Sequence, residues 1–108
     1  MQNKLEETGL TNQTVNKIKA VFKNNQNIEQ VYLYGSRATG KFKNGSDIDL
    51  TIKNSVLNFN DLLKIELQLD DLMTPYMFDL SIFENIDNPK LKKHIKEYGI
   101  EFYRKQSK

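Results

Sequence analysis

A chain of 108 residues, 38% hydrophobic and 28% charged, has the size and balance of one soluble globular domain covering residues 1–108, which excludes a multi-lobed enzyme and a disordered chain. It has no cysteine and one histidine, which removes disulfides, thiolate sites, thiol nucleophiles and a zinc centre, so any metal must be held by oxygen. Sixteen basic against fourteen acidic residues, net +2, is too even for a protein whose main ligand is long nucleic acid gripped by its phosphates. No apolar run approaches the roughly 20 residues needed to cross a bilayer, and the start MQNKLEETGL lacks the basic-then-apolar order of a signal peptide. The expectation is a cytoplasmic protein without a membrane partner. Fourteen of the basic residues are lysine, so Arg37, one of two arginines, marks a position where a planar fork for phosphate or carboxylate is wanted.

In chain order, Thr11 can cap a first helix in which Val15, Ile18 and Phe22 recur at helical spacing, and the run Asn24 to Asn27 ends it. A strand is predicted from Ile28 to Tyr34, rich in branched and aromatic residues and closed by Gly35. Residues 36–46 form a connection long enough for one helical turn and a loop. A second strand, Asp47 to Ile52, alternates: Ile48, Leu50 and Ile52 on one face, Asp47, Asp49 and Thr51 on the other. Asn60 is expected to cap the next helix, with Leu62, Ile65, Leu69 and Leu72 or Met73 as its apolar stripe and Pro75 as its stop. Leu63 and Leu67 widen that stripe, which points to deeper burial, with an interface as the second reading. A third strand, Met77 to Phe83, sets Phe78, Leu80 and Ile82 against Asp79 and Ser81. Pro89 opens a last helix with Leu91, Ile95 and Tyr98 facing inward and Gly99 closing it. The reading is a small mixed α/β (α+β) fold: three to four strands, helices mainly on one sheet face, and carboxylates on the other.

The segment Tyr34 to Leu50, YGSRATGKFKNGSDIDL, carries the chemistry. Gly35 and Ser36 stand where a strand passes into a helical turn, so that backbone N–H groups and a hydroxyl can meet an anion. Asp47 and Asp49, at i and i+2 of a strand, share a face with Cα atoms about 6.6 Å apart, a spacing suited to a pair of Mg²⁺ ions about 3.5–4 Å apart. Asp79 adds a third carboxylate if the strands neighbour each other. Three such groups on one open face repel unless a cation neutralises them.

These features together resemble the glycine-serine, ten residues, Asp-x-Asp signature of the DNA polymerase beta-like nucleotidyltransferase superfamily. From about Val15 to Tyr103 the chain is similar to the minimal nucleotidyltransferase (MNT) domains, which include the antitoxins of HEPN/MNT toxin–antitoxin pairs. The resemblance implies the nucleotidyltransferase fold and transfer of a nucleoside monophosphate, AMP from ATP or its counterpart from another triphosphate, to a hydroxyl. It implies Gly35, Ser36 and Arg37 at the triphosphate, Asp47, Asp49 and Asp79 as catalytic residues and ligands of two Mg²⁺ ions, and a HEPN-domain toxin as partner. Many members have a second arginine where this chain has Thr39, a departure that weakens a phosphate contact without touching the acidic residues. A stand-alone enzyme acting on a small molecule such as an aminoglycoside or on a nucleic-acid end, and a non-catalytic antitoxin that masks its partner, are the alternatives. The short chain leaves acceptor recognition to a partner or second subunit, in a homo- or hetero-oligomer.

His94, within the lysine run Lys90, Lys92, Lys93 and Lys96, reads as a surface helix residue rather than a general base. Asp70 and Asp71 are adjacent on a helix and cannot share a metal.

Overall fold

The computed structural model describes residues 7–106; most of the amino-terminal stretch tested above for a leader lies outside them. Helix α1, Asn12–Lys23, begins as expected, with the Thr11 side chain accepting the Thr14 N–H at 3.1 Å, and buries Val15, Ile18, Val21 and Phe22. Strand β1 runs Gln30–Tyr34, the short helix α2 Ser36–Thr39, and strand β2 Ile48–Lys53. Helix α3, Phe59–Asp70, leads to β3, Phe78–Ile82, then a 3₁₀ turn at Phe83–Asn85, helix α4, Pro89–Tyr98, and strand β4, Ile100–Arg104. The sheet order is β3-β2-β1-β4. β1 is antiparallel to both β2 and β4, whereas β2 and β3 are parallel with α3 as their crossover.

Alternation explains where the core lies. Val31 and Leu33 pair with Ile52 and Leu50, and together with Ile48 all five are fully buried beside Ile18, Phe22, Ile65 and Leu69 of α1 and α3. The opposite face carries Tyr34, Asp49, Thr51, Asp79 and Ser81. A second, smaller cluster of Tyr34, Phe83 and Ile95, flanked by Ile86 and Leu91, brings α4 to that side and leaves the carboxylate end open. The small mixed α/β fold expected from the sequence is present, with α1 and α3 covering one face of the sheet and α4 part of the other.

Four local features differ from expectation, the first being Tyr98, which is 54% accessible rather than facing inward. The cap of α3 is Asn58, not Asn60: Asn58 accepts the Asp61 N–H at 2.8 Å while the Asp61 carboxylate accepts the Asn58 N–H at 3.0 Å, a reciprocal capping box. Asparagine followed three residues later by a carboxylate is the pattern that marks it. Replacing Asn58 by alanine should cost about 1 kcal/mol in urea unfolding, while Asn60→Ala should stay within about 0.5 kcal/mol; equal losses would contradict the cap. Leu63 and Leu67 are exposed rather than deeply buried, 44% and 57% accessible, because α3 turns Ile65 and Leu69 to the sheet and leaves the opposite stripe outward. Finally, β4 continues the chain after Gly99. Phe102 is buried with its ring edge-on to Phe22 at 6.2 Å, and its pairing with β1 places β4 at the sheet's outer edge.

Candidate active site

β1 and β2 deliver two components side by side. Tyr34 pairs with Asp49 across the ladder, so the next residue, Gly35, turns directly over the Asp49 carboxylate. Gly35 has φ 78° and ψ −153°, a conformation essentially reserved for glycine, and a Cβ there would collide with Asp49 Oδ2. The glycine is thus required by the turn and by the close approach. After it, Gly35 O accepts the Ala38 and Thr39 N–H groups at 3.1 and 3.2 Å. Among the described residues the Ser36 hydroxyl has no partner, which leaves it available. The Thr39 hydroxyl back-bonds to the Gly35 and Ser36 carbonyls, both at 3.4 Å.

Asp79 stands opposite Asp49 in the parallel β2–β3 register, one strand spacing, about 4.8 Å, away. Asp47 lies just before β2 and is exposed, as is Asp79, while Asp49 is half-buried. Burial and the neighbouring Asp79 and Asp47 push the Asp49 carboxyl up to about 6. Tyr34 is also pushed up, first by burial, with Ser81 opposing and Asp79 and Asp49 adding to it.

The donor set is all oxygen, suited to a hard cation such as Mg²⁺, and the unfavourable charge at Asp49 is what a cation would relieve. Among the described residues, however, no three His, Cys, Asp or Glu side chains are gathered closely enough to hold one ion in common. The carboxylates share a face and perturb one another, but their mutual repulsion gives them no reason to converge unaided.

Arg37 is not at that face in the way its residue type suggested. It is buried, with its guanidinium donating to Thr8 O at 2.8 Å and to Ser46 O at 3.2 and 3.1 Å, between the rings of Phe42 and Tyr76 at 5.0 and 4.8 Å. These contacts commit the side chain to fastening the residue before Asp47. Arg37→Lys should therefore destabilise by about 2 kcal/mol, since an ammonium cannot reproduce the fork and the stacking together. The check is urea unfolding of the nucleotide-free protein; unchanged stability with weakened ATP binding would instead mark Arg37 as a phosphate contact.

His94 was passed over in the sequence yet belongs here. Its Nε2 accepts the Gly35 N–H at 3.1 Å, and its ring lies 6.4 Å from that of Tyr34 and 5.5 Å from that of Tyr98. Position supplies the missed signal: three residues after Leu91 and one before Ile95, His94 falls on the inward stripe of α4 despite its lysine neighbours. A groove of about 970 Å³ between α1 and β4, lined by Lys19, Lys23, Glu101 and Tyr103 among others, contains none of Asp47, Asp49 and Asp79.

The polymerase beta nucleotidyltransferase family model matches residues 16–108. The chain belongs to that family. Among solved structures it is similar to the toxin–antitoxin with AMP-PNP (TM-score 0.68, 21% identity, 85% of this chain and 74% of that one). It is similar as well to the MntA–HepT toxin–antitoxin (0.65, 18%, 88% and 74%). A third likeness is to the tri-AMPylated Shewanella oneidensis HEPN toxin in complex with MNT antitoxin (0.64, 18%, 86% and 71%). At these identities the likeness establishes the fold. No curated protein sequence matches the chain. Among the described residues no helix of this family member is long and apolar enough to cross a membrane.

Proposed function

We propose that this nucleotidyltransferase moves AMP from ATP to a hydroxyl on a HEPN-domain toxin and thereby acts as its antitoxin. The observation that carries the reading is the juxtaposition of Asp49 with Asp79 across β2 and β3, directly beneath the Gly35 turn. Family membership supports the reaction class, and the AMPylated toxin found with an MNT antitoxin supports the acceptor.

In this reading Ser36 Oγ and the Gly35 backbone hold the β- and γ-phosphates. Asp47, Asp49 and Asp79 would hold Mg²⁺, which when bound neutralises charge on the triphosphate and the leaving pyrophosphate. Asp79, the exposed carboxylate on the open edge of the site, takes the acceptor's proton. The acceptor oxygen bonds to the α-phosphorus, the bond from that phosphorus to the bridging oxygen breaks, and the electron pair leaves with pyrophosphate. The reaction needs positioning and charge stabilisation more than covalent chemistry, which these side chains can supply.

The test is incubation of the purified protein with labelled ATP, Mg²⁺ and a HEPN-domain protein encoded beside it. Label should appear on a hydroxyl side chain of that protein and vanish in Asp47→Ala/Asp49→Ala. A double variant that neutralises the toxin as well as wild type would show that masking, not transfer, is the function.

A further inference from the structure

The Gly35 N–H, the donor that the proposed function offers to phosphate, already has an acceptor built into the chain: His94 Nε2, at 3.1 Å and 59 residues away. Surroundings hold that acceptor in place. The imidazole lies against the rings of Tyr34 and Tyr98, and the next residue, Ile95, anchors α4 in the small cluster with Tyr34 and Phe83. One N–H cannot serve Nε2 and a phosphate oxygen with full strength, because the acceptors must occupy the same direction along the N–H bond. Movement of Gly35 to serve both is closed off by its special backbone conformation and by the Asp49 carboxylate packed against it.

We propose that His94 is a positioning residue that occupies the phosphate place at Gly35 while the site is empty and must be displaced when a nucleoside triphosphate binds, so that α4 reports the loaded state. The inference rests on the reading of Gly35 as a phosphate donor and adds a competitor within the same chain. In the nucleotide-free protein the Nε2 bond satisfies a half-buried N–H, while the turn's shape is set by the Gly35 backbone and Asp49. Binding exchanges that bond for one to phosphate and frees the imidazole from the turn.

The experiment compares wild type with His94→Gln, which keeps an acceptor, and His94→Phe, which keeps the ring packing without one. ATP with Mg²⁺ is titrated while backbone amide and imidazole NMR signals are followed. Without nucleotide, the Gly35 amide should be protected from exchange in wild type and His94→Gln and exposed in His94→Phe. With nucleotide, the wild-type His94 ring signals should shift in step with those of Gly35 and Ser36. His94→Phe should bind ATP about two- to tenfold more tightly than wild type, the worth of one hydrogen bond no longer to be broken, with His94→Gln near wild type. If ATP moves Ser36 and Asp49 but leaves the His94 ring unmoved, or His94→Phe binds no more tightly, the inference is overturned and the nucleotidyltransferase reading stands. If ATP moves none of these signals in any variant, both fall.

Discussion

Asp49→Asn should make the metal-free protein more stable at neutral pH while removing nucleotidyl transfer. The Asp49 carboxyl is pushed up to about 6 from 3.8, first by burial and then by Asp79 and Asp47, so the folded state holds its proton more firmly than the unfolded chain. Between those two values the folded state carries more protons, and stability falls as pH rises. The cost is absent below about pH 3.8 and fully present above about 6. With a discount for the solvent-facing half of the group, it amounts to about 1 kcal/mol. Asparagine carries no charge, so the variant should gain that amount at pH 8 in chelator and lose the slope between pH 4 and 6. Magnesium should raise the wild-type unfolding midpoint and leave that of the variant nearly unchanged. Transfer should fall about a thousandfold, since several kcal/mol of charge stabilisation disappear. Urea unfolding across pH, paired with a label-transfer assay, reads all of this. A variant less stable than wild type at pH 8 would sink the electrostatic account.

Gly35→Ala should be among the most damaging single-atom additions in the chain. It meets two penalties: a backbone conformation that costs an L-residue about 1–3 kcal/mol, and a Cβ driven into the Asp49 carboxylate. Together they predict a loss of about 3 kcal/mol and at least a tenfold weakening of ATP binding, because Asp49 and the turn are forced apart. Gly40→Ala supplies the comparison. Its φ is 83°, equally positive, but a Cβ there meets nothing within 4 Å, so only the backbone penalty, about 1 kcal/mol, remains. If both variants unfold at the same urea concentration, the contact between Gly35 and Asp49 is not what requires the glycine.

The parts of the fold and site that were legible in the sequence share a physical reason. Strand alternation placed Ile48, Leu50 and Ile52 inward and Asp49 outward without further information, and the same rule put Asp79 on the face it occupies. The Gly35-Ser36 turn could be read because few residue types tolerate that backbone. Arg37 could not be placed from sequence, because a guanidinium has the same appearance there whether it meets phosphate or two backbone carbonyls, and its contacts to Thr8 and Ser46 exist only in space. His94 was hidden by composition: four lysines around it suggested a wet helix face, although its helical phase matched Leu91 and Ile95. A sheet of three to four strands was expected, but β4 was not placed, because five residues after a helix-ending glycine carry little periodic signal and its existence depends on the bare edge of β1.

That edge matters for association as well as for the fold. β1 draws its two neighbours from distant parts of the chain, β2 from residues 48–53 and β4 from residues 100–104. Were β4 to detach, one side of β1 would present a row of unpaired strand hydrogen-bonding groups, and such a row is a template for pairing with neighbouring chains. The closing strand thus keeps the domain apart from its own copies.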